Sequence, residues 1–435
     1  MSMTPATPTQ LKTKAEAAYA EQFESALAGL PGAADARRAA FGRFTAQGLP
    51  HRRLEEWKYT DLRAAVKEAL PPAPAARAAV AANEVTAALG PLAVIDGPRL
   101  VFIDGHFSAE HSVASAIAGL SIATLANAAG ASAPAGDVPA TVALNHAFAS
   151  DGAVVEVMAG AKPTGSLVIV FLSTAVRPAT ITTRNIIIVG ADAAASVVEV
   201  HAQIGTASTH TNTSTKLQIG DRAVVDHAKV IIGASGAIHL ANWDVSIGTD
   251  ALYRPAQLTP SCGLARHDVN VTLNGRNGKL DFSGIALGRG SDHIDTTMVI
   301  HHVAPGCESR ELFKTILDGN ARAVFQGKVI VDKDAQKTDG KQMAKALMLS
   351  PNAEFDSKPE LEIYADDVAC GHGSTCAEID PDLIFYCRSR GIPEAQARAL
   401  LLESFVGDAI DMTDRPDIRR AFTEIAQAWL THKSA

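Results

Sequence analysis

The residues best suited to chemistry lie close together late in the chain, in the run Asp366-Asp367-Val368-Ala369-Cys370-Gly371-His372-Gly373-Ser374-Thr375-Cys376. The Cys370 thiol and the His372 imidazole stand two positions apart, so an extended segment would point both side chains the same way. The flanking glycines let a ligand approach the backbone closely. A soft thiolate beside an imidazole suits zinc, iron or a fragment of an iron–sulfur cluster.

Two further thiols would complete such a site. Cys376 would add a third donor and Cys387 a fourth, although Cys387 falls in an apolar run that predicts a core position. The alternative is a turn that merely contains a free cysteine and a hydrogen-bonded histidine. Spacing alone does not decide between a metal site and such a turn.

A second group of candidate ligands runs from His293 and Asp295 to His301, His302 and Cys307. In a strand, alternation places His293 and Asp295 on one face and separates His301 from His302. Imidazole, carboxylate and thiolate are the usual metal ligands. The pattern nevertheless favours hydrogen bonds along a sheet face over a metal site.

The common catalytic motifs are absent from the sequence. Gly275-Arg276-Asn277-Gly278-Lys279 is too short for a phosphate-binding P-loop, and Gly288-Arg289-Gly290 lacks the third glycine of a dinucleotide fingerprint. No G-x-S-x-G nucleophile elbow occurs. We therefore assign no catalytic residues, and these absences lower the odds of an enzyme.

The composition is that of a folded, acidic protein. Of 435 residues, 47% are hydrophobic and only 5% aromatic, so aliphatic side chains must supply most of the core. A net charge of -8 argues against nucleic-acid binding, which usually needs a basic face. Lys12, Lys14 and Glu16 interrupt any amino-terminal signal, and no apolar run is long enough to span a membrane. We therefore expect a cytoplasmic protein, off the membrane, whose five cysteines are mostly reduced.

Three regions differ in their sequence pattern. Residues 1–95 predict a helical region, because apolar residues recur every four positions from Leu11 to Leu27. Residues 96–380 carry short β-branched runs separated by Gly, Asn or Asp, as strands and turns do. Residues 381–435 return to helical spacing, in two segments too short to stand alone.

The middle region contains a repeat. Ile187-Ile188-Val189-Gly190-Ala191-Asp192-Ala193 is echoed at residues 217–223, 245–251 and 271–275, with later copies at 316–321 and 347–353. The first four copies are spaced by about 26 to 30 residues, a period typical of stacked repeats. One such unit cannot bury its own apolar face, but a stack of them forms a continuous aliphatic core.

The repeat therefore predicts a mainly β fold of stacked coils, and an antiparallel sandwich is the alternative. Long helices between the strands are absent, which argues against a doubly wound α/β fold. Gly220 and Gly248 hold equivalent positions in the repeat. We expect positive φ at both, so that a Val at either position would strain the backbone.

Several long motifs extend through the second half of the chain. They are residues 318–328 (DGNARAVFQGK), 335–342 (AQKTDGKQ), 358–368 (KPELEIYADDV), Cys370-x-His372-Gly373 and 385–392 (FYCRSRGI). A further motif, RLEEWKYT, stands at residues 53–60. Together they resemble the SufB/SufD family of iron–sulfur cluster assembly proteins. The resemblance covers most of the chain, and the Cys-x-His-Gly form resembles the SufD branch.

The resemblance implies a right-handed parallel β-helix between two helical regions, which agrees with the repeat. It also implies a scaffold rather than an independent enzyme. Such a scaffold pairs with a SufB-like paralogue and carries a SufC-like ABC-type ATPase on its carboxy-terminal helices. A homodimer of the isolated chain is an alternative to the heterodimer. The absence of a P-loop from this sequence agrees with the resemblance, because in that family the ATPase is a separate subunit.

For the site, the resemblance implies that an iron–sulfur cluster assembles transiently between the two paralogues. His372 and Cys370 are the residues that match, and the isolated chain would hold no cofactor tightly. Cys376 stands where relatives carry an apolar residue, so the resemblance gives it no ligand role. Nor does the resemblance support a metal site around His293. Whether a reduced flavin binds the complete assembly is open.

The ATPase would bind the apolar faces of the carboxy-terminal helices. Leu401 and Phe405 lie on one face at helical spacing, and Leu402 and Val406 lie beside them. We expect these four residues to contact the partner.

Two other functions compete with the scaffold. A polysaccharide-acting β-helix enzyme is typically secreted and lined with aromatic residues, which this sequence does not favour. A self-contained metal-binding β-helix protein would use Cys370, His372 and Cys376. Metal analysis of the isolated chain separates this second alternative from a scaffold, which should purify with little tightly bound metal.

Overall fold

A computed structural model of the chain describes residues 12–75, 79–113, 117–128 and 138–431. Leu11, the first residue of the predicted apolar stripe, lies outside this part. The helices are α1 (Lys14–Ala26), α2 (Ala34–Gln47), α3 (Leu62–Ala65), α4 (Ala82–Leu89), α5 (Ala140–Phe148), α6 (Pro381–Ser389), α7 (Glu394–Ile410) and α8 (Pro416–Thr431). Short 3-10 turns cover residues 27–29, 55–57, 90–94 and 109–111.

Strands make up most of the middle of the chain. The first ten are β1 (Arg99–Ile103), β2 (His106–Phe107), β3 (Leu120–Thr124), β4 (Ala153–Val157), β5 (Leu167–Ser173), β6 (Ala179–Val189), β7 (Ala194–Gln203), β8 (Thr209–Ile219), β9 (Val224–Ile232) and β10 (Ile238–Ile247). The next nine are β11 (Leu252–Pro260), β12 (Leu264–Leu273), β13 (Lys279–Gly288), β14 (His293–His302), β15 (Glu308–Leu317), β16 (Arg322–Val331), β17 (Asp339–Met348), β18 (Glu354–Ile363) and β19 (Ala369–Ala377).

From β5 onward the chain alternates between two sheets. Within the described residues, one sheet has ten strands in the order β19-β17-β15-β13-β11-β9-β7-β5-β1-β2, and the other has nine in the order β18-β16-β14-β12-β10-β8-β6-β4-β3. Neighbouring strands run parallel, apart from the antiparallel pairs β1 with β2 and β3 with β4. The result is a parallel β-solenoid of about seven turns with helices at both ends of the chain, as the sequence predicted.

The predicted repeat is visible in the register of the nine-stranded sheet. Ile187 pairs with Leu217, Leu217 with Val245, and Val245 with Val271, so the first four copies stack directly on one another. The two later copies belong instead to the other sheet, where residues 316 and 347 are partners. Only the step from the fourth copy to the fifth, from residue 271 to residue 316, is longer, because the fifth copy belongs to a different column of the stack.

The expected positive φ at Gly220 and Gly248 is wrong. Positive φ occurs two residues later, at Arg222 (59°) and Asp250 (54°). Glycine is required at Gly220 because a Cβ there would lie 2.7 Å from the backbone nitrogen of Ala191 in the preceding coil. The turns are therefore limited by the close approach of stacked backbones and not by a left-handed conformation at the glycine.

The lumen between the two sheets is a packed core. Aliphatic side chains such as Ile187, Val245 and Val271 fill much of it. An aromatic row interrupts them towards the carboxy-terminal end, where Phe313 lies 5.1 Å from Phe282 and 4.8 Å from Phe325 between ring centroids. This row separates a central group of polar lumen residues (Glu199, His201, His227 and Lys229) from a terminal group (Glu311 and Gln342) near the end of the stack.

Helices cover the outer faces of both sheets. α1, α2 and α5 pack on the nine-stranded sheet near Ile238, and α4, α7 and α8 pack on the ten-stranded sheet near Val170 and Leu258. Strands such as β5 are therefore buried on both faces, which explains their continuous apolar sequence. No helix in the described ranges is both long and apolar enough to cross a membrane.

The amino-terminal motif at residues 53–60 is anchored on the β body. Arg266 stacks on the Trp57 ring at 3.8 Å and donates to the Glu56 carbonyl oxygen at 2.9 Å. The same guanidinium is paired with Asp295 at 2.6 Å. Thr60 lies beside this pair and donates to the Asp295 carboxylate. The motif thus has a structural role, because it fastens the helical region to β12 and β14.

Candidate functional site

Cys370 and His372 lie on β19, the last strand of the ten-stranded sheet. β19 pairs with β17 on one side, and in the described part of the chain no strand covers its other edge. β18 ends the nine-stranded sheet in the same way. The stack is therefore open at this end, and half-buried lumen residues such as Phe355 and Leu361 line the opening.

Strand alternation places Cys370, His372 and Cys376 on one face of β19. Their partners on β17 are Gly340, Gln342 and Ala346, all of which are buried. Because parallel register partners project to the same side of a sheet, the three β19 side chains face the lumen side of the last coil. Cys370 is half-buried, whereas His372 and Cys376 are exposed.

The Cys370 thiol lies next to a gap in the preceding coil. A Cβ at Gly340 would lie 3.6 Å from Cys370 Sγ and 3.5 Å from the Ser309 hydroxyl. Burial raises the pKa of Cys370, and the nearby acidic groups Asp339 and Glu311 raise it further. The thiol is thus kept protonated, and a metal ion or a cationic partner group is needed to make it a ligand.

Two polar residues beneath this strand were not singled out from the sequence. Gln342 and Glu311 are each 2% exposed. Gln342 is the register partner of His372, and Glu311 is the register partner of Gln342. Neither amide atom of Gln342 has a hydrogen-bond partner, and the Ser309 hydroxyl near the Glu311 carboxyl does not reach good hydrogen-bond geometry. The one sequence signal for Gln342 is that it ends the motif at residues 335–342. The alternation of side chains in a single strand does not reveal which polar side chain is buried.

The described residues contain no group of three His, Cys, Asp or Glu side chains placed to hold a metal ion. All five cysteines are free thiols, and Cys387 lies half-buried on α6 and not on the strand. A complete metal site at Cys370 and His372 therefore requires ligands from outside this set of residues.

The histidines of β14 do not converge on one site. His293 Nε2 lies 2.9 Å from the Thr60 hydroxyl, and His301 Nε2 lies 2.9 Å from Asp332. His302 points into the lumen, where its Nε2 lies 3.1 Å from the Ser309 hydroxyl. Each histidine is thus bonded separately, but the partners lie in the motif at residues 53–60, just after β16 and on β15 of the other sheet, and not along one sheet face as expected.

The carboxy-terminal helices pack on the β body more extensively than their sequence revealed. Leu402 and Val406 are buried against the ten-stranded sheet, so a partner cannot reach them. Leu401 and Phe405 are half-buried, and the Phe405 ring lies under Lys314. The expectation of a contact surface at these four residues is therefore corrected for Leu402 and Val406.

The exposed apolar surface of this region lies earlier in the chain. Phe385 is 73% exposed and Tyr386 is 57% exposed, both on α6. Leu383 on the same helix and Leu400 on α7 are also exposed. Large apolar side chains at such exposure are typical of interaction surfaces when they are grouped.

Comparison with known proteins agrees with this architecture. Residues 171–405 match the model of the SufBD core domain of the SUF system for iron–sulfur cluster assembly. An iron–sulfur cluster assembly SufBD family protein of Synechocystis is 31% identical over 83% of this chain and 83% of its own length. The iron–sulfur cluster assembly protein SufD of Escherichia coli is 29% identical over 83% of this chain and 84% of its own length. The chain therefore belongs to the SufB/SufD family of iron–sulfur cluster assembly proteins, in which it is SufD-like.

Proposed function

We propose that the chain is a scaffold subunit of a SUF-type complex, without catalysis of its own. In this proposal it pairs with a SufB-like paralogue, and a transient iron–sulfur cluster is built between the two. The supporting observation is the open coil, which presents His372 and Cys370 on a strand edge and lacks the further ligands that a cluster needs.

The edge of β19 has the properties of a pairing surface. The strand runs for nine residues, Ala369–Ala377, with no charged residue and no proline. Natural sheets usually protect such edges with charges, prolines or bulges, because unprotected edges pair with other chains. A strand added by the paralogue would complete the backbone hydrogen bonds of β19 and bring its own ligands next to His372.

The first experiment tests the ligand role. His372→Ala should leave the complex intact, while cluster formation in a strain that lacks this chain falls at least about tenfold, since a direct ligand is lost. Cys370→Ser should do less harm, because we place the principal thiolate on the paralogue. Complementation and pull-down of the complex are measured together. Full rescue by His372→Ala would exclude the ligand role, and a collapsed complex would make the residue structural.

The second experiment tests the pairing edge. A Cβ at Gly371 would meet nothing within 4 Å, so Gly371→Lys should fold normally and place a charge on the edge. Pull-down of the SufB-like paralogue should then fall while the melting temperature is unchanged. Gly236→Lys is the matched control, because that glycine is equally open but lies in a remote turn. Equal pull-down by both variants would place the interface elsewhere.

We place the SufC-like ATPase on the exposed face of α6 and the start of α7. Phe385→Asp should abolish its binding and leave the β body folded, since the side chain is exposed. Val176→Asp is the control, because Val176 is 72% exposed on a different part of the surface. Deletion of everything after residue 391 is a poor test, since it would uncover the sheet beneath α7 and α8.

The self-contained metalloprotein is less well supported. Cys376 shares a face with His372, but both are exposed and the set does not assemble into a three-ligand group among the described side chains. Metal analysis of the purified chain decides the question. One tightly bound metal ion per chain, lost in Cys376→Ser, would favour this alternative over the scaffold.

A further inference from the structure

Three polar residues follow one another in register from the buried lumen to the open end of the stack. Glu311 on β15 pairs with Gln342 on β17, and Gln342 pairs with His372 on β19. Neighbouring strands lie about 4.8 Å apart, so each side chain is within reach of the next. We call these three residues the polar ladder.

The two inner members of the polar ladder have unused hydrogen-bonding capacity. Glu311 and Gln342 are both 98% buried, yet the Gln342 amide lacks a hydrogen-bond partner and Glu311 has only the nearby Ser309 hydroxyl, outside good hydrogen-bond geometry. The great majority of buried polar atoms in proteins are bonded, and an unbonded one costs free energy. Such a cost is expected where the groups are reserved for a ligand or for a residue that moves.

The opposite sheet leaves space for the Gln342 amide. Gly327 on β16 faces it, and a Cβ at Gly327 would lie 2.1 Å from Gln342 Nε2. Gly327 does not have positive φ, so its backbone conformation does not require glycine. Glycine is needed at position 327 because the Gln342 amide occupies the space that a side chain would fill.

His372 lacks the hydrogen bond that a metal-bound histidine normally has. Its ring makes none with the rest of the described chain, whereas the ligating histidines of metal sites donate their second ring N–H to an acceptor. Its register partner, on the same face, is Gln342, whose side-chain oxygen is an unused acceptor.

We propose that Gln342 is a positioning residue for His372, held in turn by Glu311. The inference rests on the proposed function, in which one ring nitrogen of His372 binds the metal. The other ring N–H then donates to Gln342 Oε1, and Gln342 Nε2 donates to the Glu311 carboxyl. The imidazole is thereby fixed in one orientation and one tautomer before iron arrives.

The charge state of Glu311 is compatible with this arrangement. Burial raises the pKa of Glu311 to about 8, and the Ser309 hydroxyl and Arg310 oppose the rise only in part. Near neutral pH the carboxyl is therefore mostly uncharged, and its carbonyl oxygen is free to accept from an amide. The polar ladder thus adds no buried charge behind the metal.

The test compares variants of Gln342 by complementation and by circular-dichroism melting of the purified full chain. Gln342→Met keeps the size but removes the acceptor, so cluster formation should fall about tenfold or more. Gln342→Glu keeps an acceptor oxygen and should stay within about threefold of wild type. Gln257→Met is the matched control. That glutamine lies in the same lumen and is fully bonded, to Thr296 at 2.7 Å and to His267 at 2.6 Å. This control should lower the melting temperature and leave complementation by the folded protein unchanged.

The outcomes separate the inference from the proposed function. If His372→Ala loses cluster formation and Gln342→Met does not, the positioning role is overturned and the ligand role survives. If His372→Ala is fully active, both fail. Equal damage by Gln342→Met and Gln342→Glu would mean that the amide only fills space or binds internal water, which also overturns the inference. Rescue by Gln342→Glu, with Gln342→Met melting at or above the wild-type temperature, would support it.

Discussion

Two buried glutamates lie in the same lumen, on opposite sides of the aromatic row, and their surroundings differ. Glu199, in the central group, accepts from Lys229 at 2.9 Å, from Thr215 at 2.8 Å and from His227 at 3.1 Å. Burial alone would raise the pKa of Glu199, but Lys229 and the imidazoles hold that pKa well below its usual range. The central carboxylate is therefore charged and fully bonded.

Glu311, in the terminal group, is almost as buried but has only the Ser309 hydroxyl nearby, outside good hydrogen-bond geometry. Burial consequently dominates, and its pKa rises to about 8. The comparison shows that this fold can fully satisfy a buried carboxylate. The poorly satisfied group lies near the open end of the stack, where we propose the site, and departures from full hydrogen bonding are expected at functional sites.

The largest effect should follow from breaking the central group. Lys229→Met leaves the Glu199 charge buried without its counter-ion, which we expect to lower the free energy of unfolding by about 3–5 kcal/mol. Denaturant unfolding of the purified chain measures this loss. Lys279→Met is the control, because Lys279 forms an exposed pair with Glu308 at 3.0 Å, and such pairs contribute less than about 1 kcal/mol. Similar losses in both variants would contradict the distinction.

The terminal group should respond to pH in the opposite direction to the central one. The folded pKa of Glu311 is raised above its unfolded value of 4.5, so wild type loses stability as pH rises from about 5 to about 8. The loss relative to Glu311→Gln should approach about 1.4 kcal/mol per pH unit. Glu199 has a lowered pKa, so its contribution is present above pH 4.5 and is lost on acidification. Unfolding curves of both Glu→Gln variants between pH 4 and 9 measure these slopes. Parallel slopes would mean that the two carboxyls are alike.

A smaller effect should appear at the glycine that faces the polar ladder. Gly327→Ala must displace the Gln342 amide, and we expect a loss of about 1–3 kcal/mol, as for other overpacked cores. Gly371→Ala adds its Cβ to open space and should change stability by less than about 0.5 kcal/mol. Thermal melting of the two variants side by side measures the difference. A Gly327→Ala variant with the melting temperature of wild type would show that the Gln342 amide can adopt another position.

The smallest effect should be that of Cys376→Ser. The side chain is exposed near the end of β19, and no ligand group forms around it in the described residues. Complementation should stay within about twofold of wild type, a change too small for the loss of a metal ligand. A defect as large as that of His372→Ala would restore Cys376 as a ligand.

Much of the β body could be predicted from sequence because its information is local and repeated. Ile187, Leu217, Val245 and Val271 each mark the same point of a coil, so their spacing alone revealed the stack. The turn glycines were predicted for the wrong reason. Whether Gly220 needs positive φ or close backbone approach depends on the neighbouring coil, which the local sequence does not show.

The site was only partly predictable for the same reason. Period-two spacing indicated that Cys370 and His372 share a face, and the strand bears this out. The alignment of Gln342 and Glu311 with His372 depends on the register of strands about 30 residues apart. The sequence of one strand does not show that register. Likewise, α7 is apolar on more than one side, and only its packing shows that Leu402 and Val406 face the sheet.

The alternation of the chain between two sheets has a consequence for synthesis. Each coil is built on the one before it, so the stack can grow in the order in which it leaves the ribosome. β19 is the last strand of the described chain to emerge, and its pairing partner β17 has left the ribosome before it. Cys370 and His372 therefore emerge when the strand that they pair with has already been made, and before α7 and α8, which cover the ten-stranded sheet.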